Sequence, residues 1–109
     1  VREEPPIEPV LRAVVFREGK WWILQLLEYD LATQVRRLED IPETFHRLLV
    51  AQILANAGHG VPPFHGFSPA PRRFWNLYER AAEFVAPTPL AGAGPALAEP
   101  PRIEARLAA

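Results

Sequence analysis

Cysteine and methionine are both missing from the chain. Without cysteine there can be no disulfide, no thiolate metal site and no thiol nucleophile. The lack fits a reducing compartment, so a cytoplasmic location is expected. Serine occurs once, at Ser68, with Pro69 behind it and no Gly-x-Ser-x-Gly elbow. An excess of positive charge is missing too. The formal net charge is −1 and the pI is near 6.3, which argues against nucleic-acid binding by bulk electrostatics. No apolar run approaches the roughly 20 residues that cross a bilayer, so no membrane span is expected. Val1 to Pro6 is polar and acidic and does not read as a secretory signal. Proline is nearly absent from residues 10–61, where only Pro42 stands; the rest of the thirteen cluster at 5–9, 62–71 and 87–101. That distribution separates a regular N-terminal half from a loop-rich C-terminal half.

What is present reads as one α+β domain. Residues 1–9 form an extended lead-in, because Pro5, Pro6 and Pro9 deny helix. Val10 to Arg17 is rich in strand formers, Glu18-Gly19-Lys20 is a short polar break, and Trp21 to Glu28 is the return strand. The return strand is apolar on both faces, which predicts a central position with a helix on one side. Tyr29-Asp30 makes a polar corner, and Leu31 to Arg37 is a third strand. The spacing then predicts a helix over about Asp40 to Ala57, roughly 27 Å long. Its apolar stripe is Ile41, Phe45, Leu48, Leu49 and Ile53, widened by Val50, Leu54 and Ala57. Residues 58–71 form an irregular connection in which Phe64 and Phe67 anchor to the core edge. A second helix is predicted from about Pro71 to Val85, since Phe74, Leu77, Tyr78, Ala81 and Val85 share a face. Residues 86–101 read as a flexible Ala/Pro/Gly-rich linker. Arg102 to Leu107 alternates charged and apolar residues, the pattern of a half-exposed edge strand. The expected organisation is a domain over 1–85 and a tail over 86–109.

At this point the sequence resembles a known family. Phe16 to Gln34, FREGKWWILQLLEYDLATQ, followed by a helix, is similar to the N-terminal domain of HicB-like antitoxins. There a strand, a Gly turn and a second strand precede a pattern like C-L-E-x-D-I-A-x-Q, matched here by Leu26-Leu27-Glu28-Tyr29-Asp30-Leu31-Ala32-Thr33-Gln34. The segment Pro62 to Ala82 also looks like bacterial relatives of that group. The resemblance covers residues 10–85. It implies a partial ribonuclease H-like β-β-β-α-β unit, into which the second helix read above and the Pro-rich linker are inserted, so the expected fold is a small antiparallel sheet in the order β-β-β-α, then a second helix and a C-terminal strand. By the same analogy Arg102–Leu107 would lie beside the first strand. HicB proteins cover a small RNA-cleaving HicA toxin and carry a separate DNA-binding domain. No basic recognition helix stands in the C-terminal third here, so DNA binding is not expected.

The residues themselves offer little catalytic chemistry. Glu28 and Asp30 are the best carboxylate pair, but no motif places a third carboxylate beside them for a two-metal site. They read as residues that set a strand corner. His46, His59 and His65 match no ligand spacing. No catalytic residue, metal or cofactor is therefore expected. Trp21 and Trp22 should point to opposite faces of their strand. One reading covers them with Phe74 and Trp75 of the second helix; the sharper one makes them an exposed patch for a partner. Arg36 and Arg37, and Arg72, Arg73 and Arg80, form two small basic groups. The expected function is a non-enzymatic, HicB-like interaction domain that blocks a small HicA-type toxin through Trp22, Glu28, Asp30 and Gln34. The alternative is a stand-alone homo-oligomeric binding module. A homo-dimer or higher oligomer is expected in either case, because small sheets have open edges.

Overall fold

The computed structural model describes residues 10–61, 64–85 and 102–108. The lead-in over 1–9 and the linker over 86–101 lie outside the described residues. Strand β1 (Val10–Glu18) turns at Gly19-Lys20 into β2 (Trp21–Leu26), and β3 (Ala32–Val35) follows. Gly19 sits at φ +62, the left-handed region this tight turn needs. A 3₁₀ turn over Leu38–Asp40 leads into helix α1 (Ile41–Gly58). Helix α2 (Arg72–Glu79), strand β4 (Ala82–Val85) and strand β5 (Arg102–Leu107) complete the fold. The five strands run in the order β3-β2-β1-β5-β4. The class is α+β, with the sheet between two helices.

Three expectations need correction. The sheet is mixed, not antiparallel, because β5 runs parallel to β1, with Val10 beside Arg102 and Val15 beside Leu107. The strand over 102–107 is not at an edge: it lies beside β1, where the resemblance placed it, and β4 covers its other side. The second helix stops at Glu79, and Ala82–Val85 is strand β4, antiparallel to β5 with a register shift between Glu83 and Val85. Ala81 and Val85 fit the helical spacing set by Phe74 and Tyr78, but pairing with β5 claims that segment. Local periodicity yields to a tertiary partner there.

Alternation along β1 distributes the core. Leu11, Ala13 and Val15 point to one face with Leu24 and Leu26 of β2, Val35 of β3, and Ile103 and Ala105 of β5. Helix α1 closes that face with Ile41, Phe45, Leu49 and Ile53, all buried and spaced at one helical turn. Burying each is worth about 1.5–3 kcal/mol relative to exposure. The expected wider stripe is narrower in fact, since Leu54 is 46% exposed. Phe64 is buried in the same core and Phe67 packs at its margin. On the opposite face Val14, Leu27, Ala70 and Tyr78 form a smaller core, with Phe16, Phe74 and Trp75 packed against it.

Candidate functional site

The four residues expected to bind a partner do not share one role. Glu28 turns inward. Its Oε1 accepts from the Arg12 backbone N–H at 2.6 Å and its Oε2 accepts from Arg12 Nε at 2.6 Å. The Glu28 side chain is 8% exposed, against 39% for Arg12. Burial opposes the charged guanidinium, but the hydrogen bond to Glu28 and the nearby negative charge outweigh it, so the Arg12 pKa is raised. The other side of Arg12 lies over the Trp75 ring, 4.6 Å from its centroid. Trp75 Nε1 in turn donates to the Ala70 carbonyl at 3.1 Å. Glu28 thus ties the end of β2 to β1, and Arg12 carries the link on to Trp75 of α2.

Asp30, by contrast, is exposed at the start of the corner that leads to β3. Its Oδ1 accepts from Gln25 Nε2 at 2.9 Å, and the same amide nitrogen donates to the Leu26 carbonyl at 3.0 Å. Gln25 is the buried polar side chain of β2, and these bonds satisfy its donor. Two backbone bonds hold the corner against the following loop: Asp30 N–H to the Ser68 carbonyl at 2.6 Å, and Ala70 N–H to the Leu27 carbonyl at 2.9 Å. Asp30, His65, Gly66, Phe67 and Ser68 line an open depression of about 340 Å³. Next to this loop Phe64 sits at φ 59, disfavoured for a bulky residue, and its ring stacks on Tyr29 at 4.3 Å.

Gln34 is exposed on β3, the strand at one end of the sheet. Trp22 is half-buried on β2, opposite Val35, and packs against the α1 core. That corrects the expectation of cover from α2, where Phe74 stacks on Phe16 at 5.8 Å and Trp75 meets Arg12. Each indole of β2 carries an arginine: Arg17 over Trp22 at 5.5 Å and Arg36 over Trp21 at 4.6 Å. Trp22, Asp30 and Gln34 therefore surround β3, and Glu28 does not join them.

The backbone of β3 has a direction that can be read from one bond. Leu26 N–H donates to the Leu31 carbonyl at 2.8 Å, so residue 31 faces β2. Alternation in an antiparallel pair then turns Thr33 and Val35 toward β2, and Ala32 and Gln34 away from it. The N–H and C=O groups of Ala32 and Gln34 face the side of the sheet where no described strand pairs. Sequence reasoning singled out Asp30 and Gln34 and passed over Arg12 and Gln25, which position the corner. A signal was available: each is a lone polar residue inside an apolar strand, VLRAVVF and WWILQLL.

Among the described residues, no three of His, Asp and Glu come together as a metal site, and no helix is long and apolar enough to cross a membrane. His59 and His65 are both exposed, as are Arg72, Arg73 and Arg80. Arg73 lies over Phe74 at 4.6 Å, and Arg80 Nε donates back to the Asn76 carbonyl. No protein-family model, curated protein or solved structure matches the chain.

Proposed function

We propose that this chain is a HicB-like protein-interaction domain, not an enzyme, whose binding surface is the outer edge of β3. The observation that carries the reading is the outward-facing backbone of Ala32 and Gln34 on a terminal strand. Such an edge accepts an extended segment by strand addition, with main-chain bonds giving affinity and flanking side chains giving selectivity. Here the flanks are Asp30 at one end and Arg36 and Arg37 at the other, with Trp22 behind. The partner implied by the resemblance is a small HicA-type RNA-cleaving toxin, silenced in the cytoplasm by steric cover of its active surface.

The test is co-expression with a HicA-type toxin encoded beside this chain. Growth should recover with the wild type and fail to recover with Gln34→Pro. That substitution removes an outward N–H and no bond to β2, so its circular dichroism should match the wild type. Recovery that is indifferent to Gln34→Pro removes β3 as the surface. A second reading has the same edge joining copies of this chain, with no toxin involved. It is favoured by the opposite charges of Asp30 and Arg36, which stand equally far from Thr33 along the chain.

A further inference from the structure

The order of charges along β3 selects an occupant for its edge. Asp30 precedes Thr33 by three residues, and Arg36 follows it by three. Consider a second copy of the edge laid antiparallel to the first, with its Thr33 opposite Thr33. Ala32 of each copy then faces Gln34 of the other. Both residues present outward N–H and C=O groups, so both pairs close hydrogen bonds across the junction. Carried two residues beyond β3 at each end, the register sets Asp30 of each copy opposite Arg36 of the other. Asp30 is bonded to Gln25 and Arg36 lies over Trp21, both on one face of β2, and Arg36 swings from that ring to reach the carboxylate. A two-residue slip in either direction loses both of these charge pairs. The depression beside Asp30, lined also by His65, Gly66, Phe67 and Ser68, is open to receive an arginine head group. Asp30 is exposed, and the one bond it accepts from Gln25 leaves lone pairs for a guanidinium.

We infer that β3 pairs with β3 of a second copy about a two-fold axis at Thr33, joined by reciprocal Asp30–Arg36 ion pairs. The inference rests on the reading of β3 as a binding edge and names its occupant in the absence of a toxin. Self-pairing and toxin capture then use one surface and exclude each other. The junction is short, so the dimer is weak, with a dissociation constant on the order of micromolar.

The experiment is sedimentation equilibrium of the full chain across about 1–100 μM, a range that brackets such a constant. The wild type should be dimeric at the top of the range. Arg36→Asp alone and Asp30→Arg alone should each weaken the dimer by about tenfold or more, since like charges then face one another. The double variant, Asp30→Arg with Arg36→Asp, should recover it, because each new arginine meets a new aspartate. Circular dichroism checks that all four chains are folded. Added salt should weaken the wild-type dimer. A monomeric wild type, single variants that dimerise as well as the wild type, or a double variant that fails to recover would each overturn self-pairing. The two readings fail separately. A monomeric wild type with toxin capture still lost in Gln34→Pro ends self-pairing and keeps the binding edge. Gln34→Pro without effect on either measurement ends both.

Discussion

Against α1 the sheet presents Leu11, Val15, Leu24 and Leu26, and the helix answers with Ile41, Phe45, Leu49 and Ile53. Against α2 it presents Arg12, Val14, Phe16 and Gln25, and the answer mixes rings with hydrogen bonds: Phe74, Trp75, Tyr78 and the carbonyl of Ala70. One face is closed by apolar area alone. The other is closed by fewer apolar residues held in register by Glu28–Arg12 and Gln25–Asp30. Directional bonds are concentrated where a side chain has to be aimed. Apolar burial has no direction, so it can hold a helix but cannot aim a side chain. The second face carries Asp30 to the rim beside β3, and it does so through bonds with fixed geometry.

The contrast makes predictions of decreasing size. Leu49→Ala on the α1 face should cost about 3 kcal/mol, roughly 15 °C in Tm, read by thermal unfolding. Equal or greater loss from a like truncation on the α2 face, such as Val14→Ala, would show that the two faces do not differ in this way. Glu28→Ala should cost less, about 2 kcal/mol, because the half-exposed Arg12 can turn to water while its backbone N–H loses an acceptor. Glu28→Gln, which keeps an acceptor of the same shape, should recover part of that. Gln34→Pro should change stability by less than about 1 kcal/mol, because its N–H faces away from β2. An unfolded Gln34→Pro chain would show that residue 34 bonds inward after all.

The smallest effect depends on pH. Burial holds the Tyr78 hydroxyl above the ordinary tyrosine value, with Arg106, 4.2 Å from the ring centroid, pulling the other way. A raised folded-state value means the native protein keeps this proton more tightly than the unfolded chain does. The stability so contributed is intact below pH about 10 and is lost as pH rises through the raised value. Tyr78→Phe should therefore flatten the fall in Tm above pH 10 and leave its behaviour near neutrality unchanged.

Much of the first face was legible in the chain. The apolar strands around Gly19, and the stripe Ile41, Phe45, Leu49, Ile53, have the periods of their elements, and those periods survive folding. The second face was not. Glu28 and Arg12 stand sixteen residues apart, and only the register of β1 on β2 brings them together. Residues 82–85 carry helical spacing and become strand because β5 is there to pair with them. The candidate site was half legible. Asp30 and Gln34 lie exposed near the β3 edge, as polar residues at a strand corner suggest, whereas Glu28 turns inward, and nothing local says which way a side chain turns.

The place of β5 bears on how the protein is made. The strand that flanks β1 is encoded at residues 102–107, so a ribosome releases β1 long before its neighbour exists. Until then the nascent chain exposes one flank of the sheet's central strand, and pairing so distant in sequence forms slowly. Synthesis rate and chaperone supply are therefore expected to govern the yield of soluble protein more strongly than the stability of the finished fold does.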